Sequence, residues 1–202
     1  MVIQDNSWDA ALDEISIQTK VLVVGDPECG RSSFINSFYE LGDSRYELDR
    51  EYEYSFGTVY QCYANRSRTS ERVSVYDVKS AYLARVPPST LREIHSFIFC
   101  YSIADPLSFQ SIESKWFPLL EEYVSRVSGV MVGTHKDLRD DDDVLKRLED
   151  EGLKPVSSMD GFALKKNLGF DLFKEFSNKD GEDNKDFLRT VACLSSYYNI
   201  QM

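Results

Sequence analysis

Continuous apolar runs alternate along this chain with segments whose apolar positions recur every three or four residues. TKVLVV (Thr19 to Val24), SFIFCYSI (Ser96 to Ile103) and GVMVGT (Gly129 to Thr134) are such runs, as expected of strands buried on both faces. RSSFINSFYEL, from Arg31 onward, predicts a helix with Phe34, Ile35 and Phe38 inward. A longer helix is predicted over Phe109 to Val127, with Ile112, Trp116, Leu119, Leu120 and Val124 at helical spacing. Tyr60 to Ala64 and Arg72 to Tyr76 are short aromatic-rich or alternating segments that predict an antiparallel pair. Asp141 to Glu151, Asp160 to Leu168 and Lys185 to Tyr198 predict three further helices, and Leu172 to Glu175 a short strand. Strands alternating with helices imply an α/β fold in three layers: a mostly parallel sheet of about six strands with helices on both faces. Ligands of such sheets sit outside the carboxyl ends of the strands. The chemistry is therefore sought in the turns after Val24, Tyr76, Ile103 and Gly133.

Length and charge narrow the picture. The 202 residues suit one domain, read as 18–202 behind a short N-terminal extension, 1–17. Lys+Arg 23 against Asp+Glu 34 leave a net charge of −11, which argues against nucleic acid or an anionic membrane as partner. The apolar runs are far shorter than the ~20 residues of a membrane span, and the polar start MVIQDNSWDAALDE is unlike a secretory signal. Cys29, Cys62, Cys100 and Cys193 are scattered, as expected of reduced thiols in a cytoplasmic chain. With two histidines and no cysteine pair, a structural zinc site is not expected.

The first strand ends in VLVVGDPECGRSSF: Gly25, four residues (Asp26, Pro27, Glu28, Cys29), then Gly30, Arg31, Ser32 and Ser33. This is the phosphate-loop pattern with arginine in place of lysine. Glycines let successive N–H groups turn inward around phosphate oxygens, and the following helix adds its positive end. A cation reaches the terminal phosphates, and a hydroxyl at Ser32 suits magnesium. Arginine is longer and planar and wants bidentate partners. Pro27 and Glu28 stiffen the loop and put a carboxylate beside a polyphosphate, so both departures, the arginine and this pair, are expected to weaken nucleotide affinity.

Thr134-His135-Lys136-Asp137, at the end of another buried strand, resembles the guanine-recognition motif of Ras-superfamily GTPases in the threonine-first form of the Rho branch. The resemblance covers about residues 18 to 198 and includes the corner Trp116-Phe117-Pro118. It implies the P-loop NTPase fold in its Ras-like form, with GTP or GDP and Mg2+ as ligands. Asp137 would accept from N1–H and the exocyclic amine of guanine, Lys136 would pack over the base, and Thr134 would tie this loop to the phosphate loop. GTVYQCY resembles the first switch, with Thr58 as the magnesium and γ-phosphate contact and Gly57 where the family has proline. Asp77 fits the residue that holds the magnesium shell, which makes Ser32, Thr58 and Asp77 the metal-related set. Ser177 and Asn178 fall near the last guanine loop. Thr58, Val59 and Tyr60 fall where the family meets effectors. A P-loop kinase or ATPase is disfavoured, because Asp137 in this setting selects guanine.

Departures from the family carry equal information. The water-orienting glutamine is Ala81 and the adjacent glycine is Ser80. Catalysis in this family is mostly positioning and electrostatics, so hydrolysis is expected to be very slow or absent. The alternative is a pseudo-GTPase that binds proteins without nucleotide. The sequence closes SSYYNIQM, unlike a prenylation box, so no direct lipid anchor is expected; a monomer is expected as well. His135 stands at the variable position of its motif and is expected on a surface loop. For Cys29, packing is favoured over reactivity, and Pro87-Pro88 is read as a loop stiffener.

Overall fold

The computed structural model describes residues 19–40, 46–54, 57–64, 71–177, 187, 190, 191 and 194; for 38–40, 46–54, 61–64 and 71–72 the backbone alone is described. The extension 1–17, Asn178, Cys193 and the closing residues lie outside them, as do the side chains of Phe38 and Cys62. Residues 187, 190, 191 and 194 are helical, within the helix expected there.

Strand β1 (Thr19–Val24) leads through the glycine loop to α1 (Arg31–Glu40). Strands β2 (Tyr46–Tyr54), β3 (Gly57–Ala64) and β4 (Glu71–Val78) follow, then two short helices, α2 (Ser80–Leu83) and α3 (Pro88–Arg92). Strand β5 (Ser96–Ser102) is followed by one long helical run: α4 (Pro106–Ser111), a π turn (Ile112–Trp116) and α5 (Phe117–Val124). After β6 (Ser128–Thr134) come a 3-10 turn (Lys136–Leu138), α6 (Asp142–Asp150), α7 (Ser158–Asn167) and β7 (Leu172–Glu175).

The sheet order is β2-β3-β4-β1-β5-β6-β7. The pairs β1–β4, β1–β5, β5–β6 and β6–β7 are parallel, and the β2–β3–β4 wing is antiparallel. The expected strands are all present, and β2 adds a seventh at the antiparallel edge. Strand β3 begins at Gly57, three residues earlier than the aromatic run suggests, and is paired there with both β2 and β4.

Strand alternation divides the core between two faces. Leu22 and Val24 of β1 join Phe97, Phe99 and Tyr101 of β5 on one side, where Ile112, Trp116 and Leu120 of the long helical run close over them. Val21 and Val23 join Ile98 and Cys100 on the other, under Phe34 and Ile35 of α1, with Phe176, Phe187 and Val191. Phe34, Phe176 and Phe187 meet edge to face, with ring centroids 4.9 to 5.8 Å apart. Side chains buried on both faces fix the register of β1, β5 and β6, because a one-residue slip would exchange the two layers.

Helix starts follow from local chemistry. Asp141 caps α6 by accepting from the N–H groups of Asp143 and Val144, and Ser157 and Asp160 form a reciprocal capping box on α7. Pro88 opens α3 at a position where no N–H is needed. The pair Pro87-Pro88 therefore starts a short helix rather than only stiffening a loop.

Candidate functional site

Parallel strands deliver their carboxyl ends to one rim. There the glycine loop (25–30) follows β1, Asp77 stands near the end of β4, Ser102 ends β5, Thr134 ends β6, and Phe176 and Ser177 follow β7. The sequence places its candidate residues on this rim, and the structure brings most of them into contact.

Thr134 joins two loops. Its Oγ1 donates to the Cys29 carbonyl at 2.6 Å and lies 3.0 Å from the Tyr101 carbonyl, in the tie expected of this threonine. Gly30 (φ +83) is held against the same turn: a Cβ there would lie 2.9 Å from Cε1 of His135 and 3.1 Å from Oγ1 of Thr134. Glycine is thus required at this position by backbone conformation and by space together. The Gly30 carbonyl then accepts from the Phe34 N–H at 2.8 Å, inside the first turn of α1.

His135 is not a free surface residue. It is half-buried, adopts a left-handed φ of 56°, and its Nδ1 lies 2.9 Å from the Ser102 hydroxyl. The motif tetrapeptide gives no sign of this, because Ser102 comes from a different strand. Past it, the Lys136 N–H donates to the Phe176 carbonyl at 2.9 Å, and the Ser177 hydroxyl donates to the Asp137 carboxylate at 3.0 Å. Asp137 and Ser177, forty positions apart, are thereby brought together. Arg139 braces the same turn through paired hydrogen bonds of 2.9 and 2.5 Å to the Glu175 carboxylate, whose Oε2 also accepts from the Ser158 hydroxyl at 2.9 Å. Sequence reading does not single out Arg139, Glu175 or Ser158.

In the glycine loop, Cys29 is buried with its thiol 3.4 Å from the Cys100 carbonyl. Burial pushes that thiol up to about 12, against the opposing charge of Arg31. It is packing, as expected, and its N–H neighbours do not make it reactive. Pro27 and Glu28 are exposed, and Glu28 has a left-handed φ of 62°. Asp26 turns away from the loop: its Oδ1 accepts from Lys115 Nζ at 2.9 Å and Trp116 Nε1 at 3.2 Å. Burial raises the Asp26 carboxyl, but hydrogen bonds from Ser111, Lys115 and Trp116 and the Lys115 charge outweigh it, leaving the group below the usual carboxylate range.

Arg31 and Ser32 converge on Asp77, a carboxylate only 7% exposed. Arg31 Nε donates to Oδ1 at 3.0 Å, and the Ser32 hydroxyl donates to Oδ2 at 2.6 Å. Arg31 Nη1 reaches the Gly25 carbonyl, the Asp26 carbonyl at 3.3 Å and the Ser80 hydroxyl at 3.3 Å. Ser80 in turn donates to the Gly25 carbonyl at 2.9 Å. Ala81 and Ser33 are exposed. Thr58 is in β3, directly opposite Asp77 in the ladder, so both side chains share one face of the sheet. Val59 and Tyr60, expected on the effector surface, are 0% and 4% exposed: β3 lies between two paired strands, and its alternating side chains turn into the core.

The family model described as "Ras family" matches residues 20–194. The Rho-related GTP-binding protein RhoF of Homo sapiens is 25% identical over 176 residues, spanning 87% of this chain and 81% of the relative. The GTP-binding protein Rho3 of Schizophyllum commune is 30% identical over 178 residues, spanning 87% of this chain and 84% of the relative. With a family match over most of its length and relatives named for Rho proteins of two kingdoms, the chain belongs to the Ras family of small GTPases, on the Rho-like branch.

Proposed function

We infer that this chain binds guanine nucleotide at the rim of its parallel strands and hydrolyses GTP very slowly or not at all. The observation that supports binding is the preassembled corner: Thr134 bonded to the glycine loop at 2.6 Å and Asp137 steadied by Ser177 at 3.0 Å. A carboxylate fixed in place before the base arrives loses little entropy when it accepts the two donors of guanine. Weak hydrolysis follows from the second-switch positions. Ala81 has no group to orient a water, and the Ser80 hydroxyl is bonded to Gly25 at 2.9 Å. Losing such preorganised contacts costs on the order of a hundredfold or more in rate. The chain would act as a cytoplasmic, monomeric signalling protein, meeting partners through the part-exposed Thr58 and the switch segments around it.

One observation favours a second reading, a nucleotide-independent interaction module: Arg31 is folded onto Asp77 and the loop carbonyls. A titration with a fluorescent GTP analogue in excess magnesium separates the two. Saturable binding that is lost in Asp137→Ala supports the nucleotide-binding protein; failure to bind at high micromolar nucleotide supports the module. On the same sample, a single-turnover rate matching an ordinary small GTPase would refute the hydrolysis part.

A further inference from the structure

We propose that the Arg31 guanidinium takes the place of the divalent cation, so that guanine nucleotide binds to this chain without magnesium. The proposal rests on the nucleotide binding inferred above. The residues present do not suit a hydrated magnesium ion at Asp77. Ser32 alone would not exclude one, since its oxygen keeps lone pairs while its proton goes to Asp77 Oδ2 at 2.6 Å. Arg31 is the obstacle. Its permanent charge is on the other carboxylate oxygen at 3.0 Å, in a pair whose side chains are only 12% and 8% exposed.

A metal at this carboxylate would have to sit beside that charge or displace it. Displacement would also strip Nη1 from the Gly25 and Asp26 carbonyls and from the Ser80 hydroxyl, all of which hold the side chain in place. Magnesium itself gives up its waters reluctantly and demands near-octahedral oxygen geometry. The guanidinium meanwhile supplies a fixed positive charge within the loop. Nη2 has no protein acceptor among the described residues, which leaves two N–H donors for an anionic phosphate oxygen. Arginine therefore does two jobs here: it neutralises Asp77 and presents a planar donor edge to phosphate.

Calorimetry with GDP on the full chain, in millimolar magnesium and again in excess EDTA, tests this. Wild-type affinities in the two buffers should agree within about twofold, and Arg31→Lys should lose at least about tenfold on chelation. Manganese added with GDP, followed by electron paramagnetic resonance, should give no protein-bound ion beyond that carried by free nucleotide in wild type, and one in the lysine variant. A wild type that loses tenfold or more on chelation, or binds manganese tightly, overturns the substitution of cation by arginine while nucleotide binding stands. A lysine variant as indifferent to chelation as wild type also overturns it. Absence of GDP binding in both buffers would instead remove the functional reading and this inference with it. The wild-type comparison is decisive without the variant.

Discussion

At the scale of single residues, one hydroxyl couples the glycine loop after β1 to the turn after β6. Thr134 Oγ1 donates to the Cys29 carbonyl at 2.6 Å and the residue is 4% exposed, so a valine of similar shape would leave that buried carbonyl short of its donor. Thr134→Val should lower stability by about 1–3 kcal/mol. Chemical denaturation measures that change directly, and an unchanged midpoint would refute the coupling role. The residues of this site divide by how visible they are in the sequence. Gly25, Gly30, Thr134 and Asp137 announce themselves because their roles depend on motif spacing along the chain. His135, Ser102, Arg139 and Glu175 do not, because each acquires its partner only when distant strands end side by side. Arg31 is intermediate: its departure from lysine is plain in the sequence, whereas its grip on Asp77 is not.

At the scale of elements, His95 links the entrance of β5 to β1. The Lys20 N–H donates to His95 Nδ1 at 3.0 Å, and the His95 N–H donates to the Lys20 carbonyl at 2.9 Å. Burial first, then the Lys20 charge, hold the imidazole pKa below its ordinary value, with Glu93 opposing. As pH falls, the unfolded chain takes up this proton before the folded one. Stability is therefore full above the ordinary value of about 6.5 and declines as pH drops through it toward the folded value. Urea midpoints at about pH 7.5 and about pH 5.5 should differ more in wild type than in His95→Gln, whose amide oxygen can still accept from Lys20; equal differences would exclude His95 as the source. Buried strands were readable because both their faces are apolar, as in TKVLVV and SFIFCYSI. Strand β2 was not. Its polar residues outnumber its apolar ones, and Arg50 interrupts the alternation of Tyr46, Leu48, Tyr52 and Tyr54 where the register also shifts, between Leu48 and Arg50. The π turn is not legible in the sequence either. Ile112, Trp116, Leu120 and Val124 repeat every four residues, a spacing that drifts by about 40° per step around an ordinary α-helix. The wider turn at Ile112–Trp116 takes up part of that drift and keeps all four side chains buried.

At the scale of the whole molecule, the charge of −11 matters to any anionic ligand. A nucleotide polyphosphate approaches a body of its own sign, so added salt should screen the repulsion and raise its association rate. Stopped-flow binding of a fluorescent GDP analogue at increasing potassium chloride reads this; a rate that falls with salt would show that the field around Arg31 governs the approach instead. Fold class was legible at this scale because strand and helix alternation needs only periodicity, whereas the closure of the rim depends on contacts between distant segments. The π turn also has a consequence beyond its own helix. It gives the coil one residue of slack, and Lys115 and Trp116, which hold Asp26, are the last two residues of that turn. Deleting a residue of that turn other than those two would let it close to ordinary α-helix and leave the segments beyond it on their faces. Replacing Lys115 and Trp116 would instead unmoor the glycine loop from outside, although no residue of the loop had been altered.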